Sequence, residues 1–458
     1  ALLQHRALSY SHYWWLIGAV LLLAEPFYAL SKSFWLSMLA LGVIFFLLWR
    51  FSPSAKGWRS KLIQFLLFHL SLTVFMSLLS VLMFSGSASM SLLSNLLFVP
   101  WCSLLAIPLL FICLLFQLAQ LPGSALLWQL CDLAFSPLLH WLNWCASFDS
   151  WFALPELPLA IVCSIAVVLV LGYLSWRPLV RYLLPLLVLP LLASFTRPPH
   201  WQLHVIDVGQ GLAVLLQYGD RGMLYDAGPR YGTHSATAAQ VVPYLRQRGI
   251  RQLDYLLLSH DDSDHSGDWP LLRHFYPQLQ VFAKPGIAGV DGSCDTLPQH
   301  YLSASLQVLD PAMAFSSKND NSCVLLIRID GWSILLPGDI SQRVELRLLQ
   351  QYPQLQADVL LLAHHGSNSS SHLAFLQQLA PKMALNSASR YNRHQHPATL
   401  VQHRLQLLGI PLHNTAQHGA LQLGISAEKL QLSHYRQQRI PFWLQNPVGN
   451  AETSVTTR

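Results

Sequence analysis

Charged residues are scarce in this chain of 458 residues: Asp, Glu, Lys and Arg together make up 11%, whereas 53% of the residues are hydrophobic. A mean hydropathy of +0.37 excludes a uniformly soluble protein. The scarcity is confined to the first 197 residues, which hold 9 basic and 4 acidic residues, while the remainder holds 19 and 18. The sequence therefore predicts a membrane domain over residues 1–197, followed by a soluble part.

Cysteine is also sparse, which argues against a cysteine-rich zinc module. None of the seven cysteines has zinc-ligand spacing, and five lie in apolar stretches, where a thiol behaves as a small hydrophobic group. Cys294 and Cys323 are the one pair in the soluble part, and a disulfide between them would require an oxidising compartment. The soluble part lacks an excess of basic residues, so its overall charge does not indicate nucleic-acid binding.

Long apolar segments in the first part predict about seven transmembrane helices, since a helix needs about 20 apolar residues to cross a bilayer. Six segments are clearly apolar, approximately residues 13–30, 34–49, 62–84, 96–120, 157–175 and 179–196. A seventh, Ala125–Cys145, also carries Asp132 and His140, which are costly inside hydrocarbon. These two residues fit a translocation path or a helix lying flat at the interface equally well.

Positive charges predict the orientation of the chain. The connections RFSPSAKGWRSK and SWRPLVR are expected in the cytoplasm. An even number of crossings between them requires that Ala125–Cys145 also spans, and the carboxy-terminal domain then faces the periplasm from a bacterial inner membrane. Lys32 and Arg197 depart from this charge rule. The chain begins at Ala1 with no signal-peptide cleavage pattern, and we expect a fragment or a processed product.

After residue 200, short apolar runs closed by turns alternate with helical segments, which predicts one layered α/β domain over residues 198–445 and a flexible tail over 446–458. The strand-like runs are WQLHVIDVGQG, AVLLQYGD, RGMLYDAG, LDYLLLSH, SCVLLIRIDG, WSILLPGD and ADVLLLAHHG. Polar residues follow where several runs end, namely Asp207, Asp226, His260, Asp339, His364 and His365. Strand ends of this kind can converge on one cavity.

The segment SHDDSDHSGD places His260, Asp262, Asp264 and His265 within six residues, directly after an apolar run. Four ligand-type side chains so close together can fold over a divalent ion at little entropic cost. The alternative is a polar turn in which an Asp caps the following helix.

This spacing resembles the signature of the metallo-β-lactamase fold, with Asp262 in place of the second histidine. The resemblance implies an αββα sandwich and one or two divalent metal ions. His260 and Asp262 would hold one ion, and Asp264, His265 and His364 the other, with Asp339 between them. His365 is the alternative to His364, and Asp226 matches the first motif of the fold. A carboxylate at position 262 shifts preference toward Mn²⁺ without excluding Zn²⁺. Asp264, His265 and Asp339 would carry a metal-dependent hydrolysis.

The segments that contain and surround these motifs resemble one family more specifically than the fold signature does. LHVIDVGQG, NDNSCVLLI, LLPGDI, LLAHHGSNSS, YNRHQHP and HGALQL, with EPFYALSKSFWLSMLALGV in the membrane part, resemble the ComEC family of inner-membrane DNA-uptake channels. The similarity runs from about Glu25 to about Leu423, and the family's amino-terminal part is expected to be missing. The resemblance implies import of one DNA strand and a nuclease that degrades the other. Leu212 stands where many relatives have an acid.

Several further polar residues match family motifs. Asn319, Asp320, Asn321 and Ser322 fit a phosphate contact, a brace for a ligand, or a plain turn. Ser367, Asn392, His394 and His396 fit contacts to phosphate, protonation of a leaving oxygen, or ordinary surface positions. Asp207 and Gln210 fit a motif or a structural role at a strand end. His418 stays unassigned, and six other histidines are predicted to lie on the surface: His234, His274, His300, His403, His413 and His434.

The sequence is compatible with three functions. The first is a DNA channel fused to a metal-dependent phosphodiesterase, with DNA, the lipid bilayer and other competence DNA-uptake proteins as partners and a homo-oligomer as a further option. The second is a membrane-anchored metallo-hydrolase of a lactam, thioester or lipid phosphoester, and the third is a DNA channel with an inactive lactamase-like domain. A local basic groove formed by Arg390, Arg393 and Arg404 is expected for DNA.

Overall fold

A computed structural model of the chain describes residues 9–50, 57–84, 86–146, 151–153, 200–313, 315–436 and 454–456. The chain divides into two compact units, residues 1–197 and 198–458. The first unit is helical. The helices among its described residues are Tyr10–Ala24, Lys32–Arg50, Trp58–Phe84, Ser91–Trp101, Ile107–Leu118 and Ser124–Ala146. The turn Cys102–Ala106 joins two of them into one continuous helical segment, and a small antiparallel pair, Gly86–Ala88 with Trp151–Ala153, accompanies them.

Three helical segments in the described residues are long and apolar enough to cross a membrane, namely Ser33–Arg50, Trp58–Val81 and Ser91–Leu118. The helix Tyr10–Ala24 is apolar but short. The less apolar Ser124–Ala146 forms one helix with Asp132 and His140 exposed on it, so the crossing of Ala125–Cys145 stays a prediction. The segments 157–175 and 179–196 lie outside the described residues.

Indole groups tie neighbouring helices of this unit together. Trp14 Nε1 donates to the carbonyl of Met38 at 2.6 Å, and Trp101 Nε1 donates to the carbonyl of Ala134 at 2.8 Å. Trp141 Nε1 donates to Ser94 Oγ at 2.9 Å. An indole N–H needs a partner where water is excluded, and these bonds therefore fix how the helices pair.

The second unit is a sandwich of two mixed sheets. Where the structure describes the chain, the first sheet has nine strands in the order Gly292–Ser293, Gln280–Ala283, Gln252–Leu257, Arg221–Tyr225, Val214–Tyr218, Trp201–Val205, Leu421–Ile425, Lys429–His434 and Ser454–Thr456. The second has seven in the order His300–Tyr301, Ala304–Leu309, Val324–Ile329, Trp332–Leu336, Val359–Leu361, Met383–Asn386 and Leu412–Asn414. Arg230–Tyr231 and His234–Ser235 form a separate hairpin.

Helices cover the outer faces of both sheets. The helices Val242–Gln247 and Pro270–Phe275 belong to a core with the first sheet, and Gln342–Gln351, Leu373–Leu379 and Thr399–Leu407 belong to a core with the second. A third core between the sheets includes Trp201 and Trp332, both almost fully buried. Burying side chains of this size stabilises the fold by roughly 1.5–3 kcal/mol each. The layers are helix, sheet, sheet and helix, which confirms the predicted fold class.

Two details of this unit bear on earlier expectations. Cys294 and Cys323 are buried and form a disulfide with their Cα atoms 6.1 Å apart. Ser454–Thr456, in the predicted tail, pairs with Lys429–Gln431. Within the described residues, the rest of the domain ends at Arg436.

Candidate metal centre

The ends of parallel strands bring the site together. Asp226 and His260 follow two neighbouring parallel strands of the first sheet, and Asp339 and His365 follow two of the second. Because the carboxyl ends of parallel strands meet at one edge of a sheet, ligand sites commonly form there. The two sheets of the sandwich thus present polar side chains to the same space.

Four ligand-type side chains form the centre of the cluster. One oxygen or nitrogen from each of Asp264, His265, Asp339 and His365 lies within 4.8 Å of the others. Nε2 of His265 is 3.1 Å from Asp339 Oδ1, and Nε2 of His365 is 3.4 Å from Asp264 Oδ2. Ligands about 2.0–2.2 Å from a metal ion are separated by roughly 3.3 Å around a tetrahedron. The spacing is therefore close to that of a metal-ligand set.

Hydrogen bonds to Nδ1 set the orientation of the histidine rings. Nδ1 of His265 donates to Asp226 Oδ2 at 2.7 Å, and Nδ1 of His365 donates to the carbonyl of Ser387 at 3.0 Å. Nδ1 of His260 lies 3.0 Å from Ser259 Oγ, whose proton goes to Asp226 Oδ2. A proton held on Nδ1 leaves Nε2 as the nitrogen that can bind a metal ion.

These three Nε2 atoms provide the test of whether a metal fits. Nε2 of His260, His265 and His365 is buried and has no hydrogen-bond partner. The short distance from His265 Nε2 to Asp339 therefore does not have the geometry of a hydrogen bond. Buried polar atoms are rarely left unpaired. Three of them beside two carboxylates fit one or two divalent ions, and the mixed nitrogen and oxygen donors suit Zn²⁺ or Mn²⁺.

Charges within the cluster shift its pKa values. Burial opposes a charge on His265, but the carboxylates of Asp339 and Asp226 outweigh it and raise the pKa of His265 well above its usual value. An ion at Nε2 would take the place of the second proton that these carboxylates favour, while Nδ1 keeps its own. Burial alone would raise the pKa of Asp339, yet the charges of His265 and His365 lower it far below its ordinary range. Burial and the neighbouring His265 lower the pKa of His260. Asp339 is thus ionised at neutral pH, and a cation beside it is strongly favoured.

The backbone around the ligands is strained. Asp226, His364 and His365 have φ values of 63°, 52° and 56°, in the left-handed region that non-glycine residues avoid. Gly267 closes the SHDDSDHSGD turn with φ +50°, and a Cβ there would lie 2.3 Å from the carbonyl of Gly228. Such strain costs about 1–3 kcal/mol a residue and persists where the surrounding structure holds it, commonly at functional sites.

Comparison with protein families agrees with both units. The family model described as "Competence protein" matches residues 1–179, and that of the metallo-beta-lactamase superfamily matches residues 206–279. The chain is thus similar to the competence proteins in its first part and to the metallo-beta-lactamase superfamily in its second, as the resemblance to the ComEC family implies. The superfamily match and the donor set together support a metal-dependent hydrolase.

Three curated relatives align with almost the whole of this chain. "Uncharacterized protein YcaI" of Escherichia coli is 29% identical over 94% of this chain and 58% of its own length. "Recombination protein 2" of Haemophilus influenzae is 28% identical over 98% and 62%. "Competence protein ComA" of Neisseria gonorrhoeae is 30% identical over 94% and 61%. The chain thus spans about three fifths of the length of these relatives.

The structure separates the two adjacent histidines of LLAHHGS. The sequence favoured His364, but His365 is the one in the cluster and is almost fully buried. Nε2 of His364 lies 3.7 Å from Asp339 Oδ2, at the more exposed rim. Asp262 is also peripheral, with its side chain 37% exposed and Oδ2 3.6 Å from Nε2 of His260. The geometry therefore favours His365 as the ligand. Among the cluster residues, Asp262 approaches only His260.

The NDNS segment, residues 319–322, contacts the backbone next to the metal cluster. Ser322 Oγ donates to the carbonyl of Asn319 at 2.6 Å and accepts from Asp339 N at 3.1 Å. Asp320 Oδ1 accepts from the backbone N–H of Ser341 at 2.9 Å. The side-chain amide of Asn321 bonds within its own loop, where Oδ1 accepts from Phe315 N and Nδ2 donates to the carbonyl of Phe315. These contacts support the bracing role for this segment.

The loop 389–396 forms one rim of the site. Asn392 closes it, since Nδ2 donates to the carbonyls of Ser389 and His396 and Oδ1 accepts from His396 N. The ring of His396 lies 6.4 Å from that of His365. Burial and the charges of His365 and His364 lower the pKa of His396 to about 4. A neutral His396 offers a hydrogen bond near the cluster. Among the described residues, the hydroxyl of Ser367 has hydrogen bonds only with Ser369.

Several other expectations need correction or a structural reading. Asp207 pairs with Arg436 at 3.2 Å, and Gln210 Oε1 accepts from Ser389 N at 3.4 Å, so both act within the fold. Arg404 does not join a basic groove, because its guanidinium donates to the carbonyls of Ser370 and Ser371. His413 and His434 were expected on the surface but are 7% and 3% exposed. Each lies in a paired strand, one in each sheet, and the two rings contact each other with centroids 5.2 Å apart.

Sequence reasoning missed two groups that orient the histidines. Ser259 donates both its N–H and its hydroxyl to Asp226, at 2.7 and 2.8 Å. Its position directly before His260 was the available signal. Ser387 acts through its backbone carbonyl on His365. No side-chain pattern in a sequence can identify a carbonyl in this role.

Proposed function

We propose that this chain is a component of an inner-membrane channel that imports single-stranded DNA during natural transformation, and that its carboxy-terminal domain is a metal-dependent phosphodiesterase that degrades the other strand. The single observation that carries the enzymatic part is the trio of buried, unpartnered Nε2 atoms of His260, His265 and His365 facing two carboxylates. The three apolar helices of the described residues and the similarity to competence proteins support the membrane part.

The chain's own residues prepare the site for hydrolysis. Asp264, Asp339, His265 and His365 would hold one or two ions, with His260 beside them. Such ions supply Lewis-acid polarisation of a phosphodiester and activation of water. Asp226 holds the proton of His265 on Nδ1, and the Ser387 carbonyl does the same for His365. Because these rings are fixed, little reorganisation is needed when substrate binds.

The rim residues suit a nucleic-acid substrate. Tyr391 is 89% exposed, and the guanidinium of Arg390 lies 5.7 Å from the centre of its ring. Arg393 is exposed on the same loop, which also carries His396 beside the cluster. Exposed aromatic rings stack on bases, and arginine pairs with phosphate. We infer that DNA enters across this loop, with Arg390 and Arg393 as its phosphate contacts.

The disulfide supports a periplasmic location for the domain. Bonded cysteines persist in oxidising compartments and are rare in the cytoplasm. Cys294 and Cys323 are buried within the sandwich, where their bond joins the segment after Gln280–Ala283 to the start of Val324–Ile329. This location agrees with the orientation that the basic connections of the membrane part predict. A periplasmic domain meets the incoming DNA before the membrane crossing, as degradation of one strand requires.

The test uses the full chain purified in detergent. We expect Mn²⁺-dependent cleavage of DNA, and loss of at least a hundredfold when Asp264 and His265 are both replaced by alanine. His403→Ala removes an exposed histidine of the same domain and should retain full activity. Hydrolysis of a chromogenic β-lactam is measured in parallel. Undiminished DNA cleavage by the double variant, or lactam hydrolysis without DNA cleavage, would contradict the proposal.

A further inference from the structure

A second group of histidines lies outside the candidate metal centre. His413 is in the strand Leu412–Asn414 at the edge of the second sheet, and His434 ends the strand Lys429–His434 of the first sheet. His418 ends the short helical turn between them, directly before Gly419. The three residues therefore bridge the two sheets of the sandwich at one place.

Their ring geometry is compact. The rings of His418 and His434 stack with centroids 4.1 Å apart, and those of His413 and His434 are 5.2 Å apart. Nδ1 of His413 lies 3.2 Å from Nε2 of His434. One ligand nitrogen from each of the three residues lies within 4.8 Å of the others. Two nitrogens bound to Zn²⁺ at 2.0–2.1 Å are about 3.3 Å apart in a tetrahedral site, so the closest pair already has this spacing.

Burial shields the closest pair of ligand nitrogens from water. His413 and His434 are 7% and 3% exposed, whereas His418 is half-buried. Nδ1 of His413 and Nε2 of His434 face each other at 3.2 Å, and an ion bound to both would replace the contact between them. The partial exposure of His418 gives an ion a route from solvent and leaves a coordination position for water.

The charge state of the rings also suits a metal ion. Burial and the neighbouring His434 lower the pKa of His413 to about 4. Burial, His434 and Arg436 lower the pKa of His418 to about 4 as well. Neutral imidazole is the form that binds metals. The positive charge of Arg436 is partly offset by Asp207, whose carboxylate lies 3.2 Å away.

We propose that His413, His418 and His434 bind one Zn²⁺ ion, at a site separate from the carboxylate-containing cluster. Three imidazoles without a carboxylate favour Zn²⁺ over oxygen-preferring ions such as Mn²⁺. The ion would link the edge of the second sheet to the first sheet through side chains alone. Its role is then to hold the two sheets together, which makes binding measurable as stability as well as stoichiometry.

The experiment measures Zn²⁺ binding by the metal-stripped full chain in detergent. The background carries Asp264→Ala and His365→Ala, which removes the other cluster and makes the result independent of the proposed hydrolase. We expect this chain to bind one equivalent of Zn²⁺ and to rise in Tm with it. Adding His418→Ala should remove that equivalent and the rise in Tm, whereas adding the exposed His403→Ala should preserve both.

A spectroscopic probe and a second variant distinguish loss of the metal site from misfolding of the His418→Ala chain. Co²⁺ added to the same background should give the visible absorption of a tetrahedral imidazole site, and His434→Gln should abolish it. In the unsubstituted chain, His418→Ala should lower bound Zn²⁺ by one equivalent relative to His403→Ala. Absence of Zn²⁺ binding in the folded background chain, or equal binding with and without His418, would overturn the proposal.

Discussion

Replacement of Asp226 by asparagine changes one buried atom and should disable a histidine ligand. Asp226 is fully buried and accepts three hydrogen bonds, from Ser259 N at 2.7 Å, Ser259 Oγ at 2.8 Å and His265 Nδ1 at 2.7 Å. In Asp226→Asn the amide oxygen can keep the bond from Ser259 N. The amide nitrogen then faces His265, where it can only donate.

The consequence is a change of tautomer at His265. Its Nδ1 must accept from the amide, so its proton moves to Nε2 and blocks the nitrogen that faces Asp339. Loss of a partner that orients a metal-binding histidine typically lowers metal affinity or activity by 10–100-fold. That factor corresponds to about 1.4–2.7 kcal/mol of binding free energy. We expect a weakening of this size for Mn²⁺ or Zn²⁺ at the cluster.

The assay is competition between the full chain and a chelator for the metal, with DNA cleavage measured on the same samples. The matched control is Asp254→Asn, which alters another buried carboxylate on the strand Gln252–Leu257 that leads to the site. Asp254 bonds to Arg221 and Tyr301, so this variant should lose stability but retain metal affinity. Parental metal affinity in Asp226→Asn would refute the assigned tautomer of His265.

Three further predictions concern the choice between His364 and His365, the buried carboxyl group of Glu345, and the disulfide. His365→Ala should remove metal binding at the cluster while His364→Ala weakens it less, as measured by metal content; the reverse order would restore the sequence-based preference. Burial raises the pKa of Glu345 to about 7 from 4.5, so its contribution to stability is complete below pH 4.5 and is lost as pH rises through 7. Glu345→Gln should flatten Tm over that interval, and an unchanged pH profile would contradict the burial argument. Thiol labelling of the unreduced denatured chain should leave Cys294 and Cys323 unreacted, and labelling of both would argue against their disulfide.

The strands could be predicted because each is a compact apolar run with a clear end. Runs such as LDYLLL and VLLIRI correspond to the strands Gln252–Leu257 and Val324–Ile329. Their two-sided burial removes the alternating pattern and leaves a continuous apolar signal. The order of the strands could not be obtained in this way, since Leu421–Ile425 pairs with Trp201–Val205 across more than 200 residues. Only the family resemblance indicated the sandwich.

The ligands could be predicted where they lie close together in the sequence. The prediction was less certain where two adjacent histidines could each be the ligand. His260, Asp264 and His265 share one turn, and their spacing already indicated a metal. His364 and His365 are adjacent and share a left-handed backbone, yet only the ring of His365 lies in the buried cluster. Spacing carries no information about that choice. The side chain of Asp339 could be identified by its strand end, but its contact with His265 depends on the meeting of two sheets.

The three-histidine group was missed for a related reason. His413, His418 and His434 come from different elements, and the spacing between them matches no short metal-binding motif. Two of them, His413 and His434, were predicted to lie on the surface because they match no motif. Their burial results from strand pairing, which brings His434 opposite Leu421 and His413 opposite Leu385. Contacts of this range are set by the complete fold.

The central claim is that Asp264, His265, Asp339 and His365 form a metal-binding centre, and elemental analysis tests it most directly. The full chain, loaded with Mn²⁺ or Zn²⁺ and freed of excess ion, is compared with the variant Asp264→Ala/His365→Ala. We predict that the double variant loses one or two equivalents of metal per chain while its far-ultraviolet circular dichroism is unchanged. An equal metal content in the two folded proteins would contradict the account.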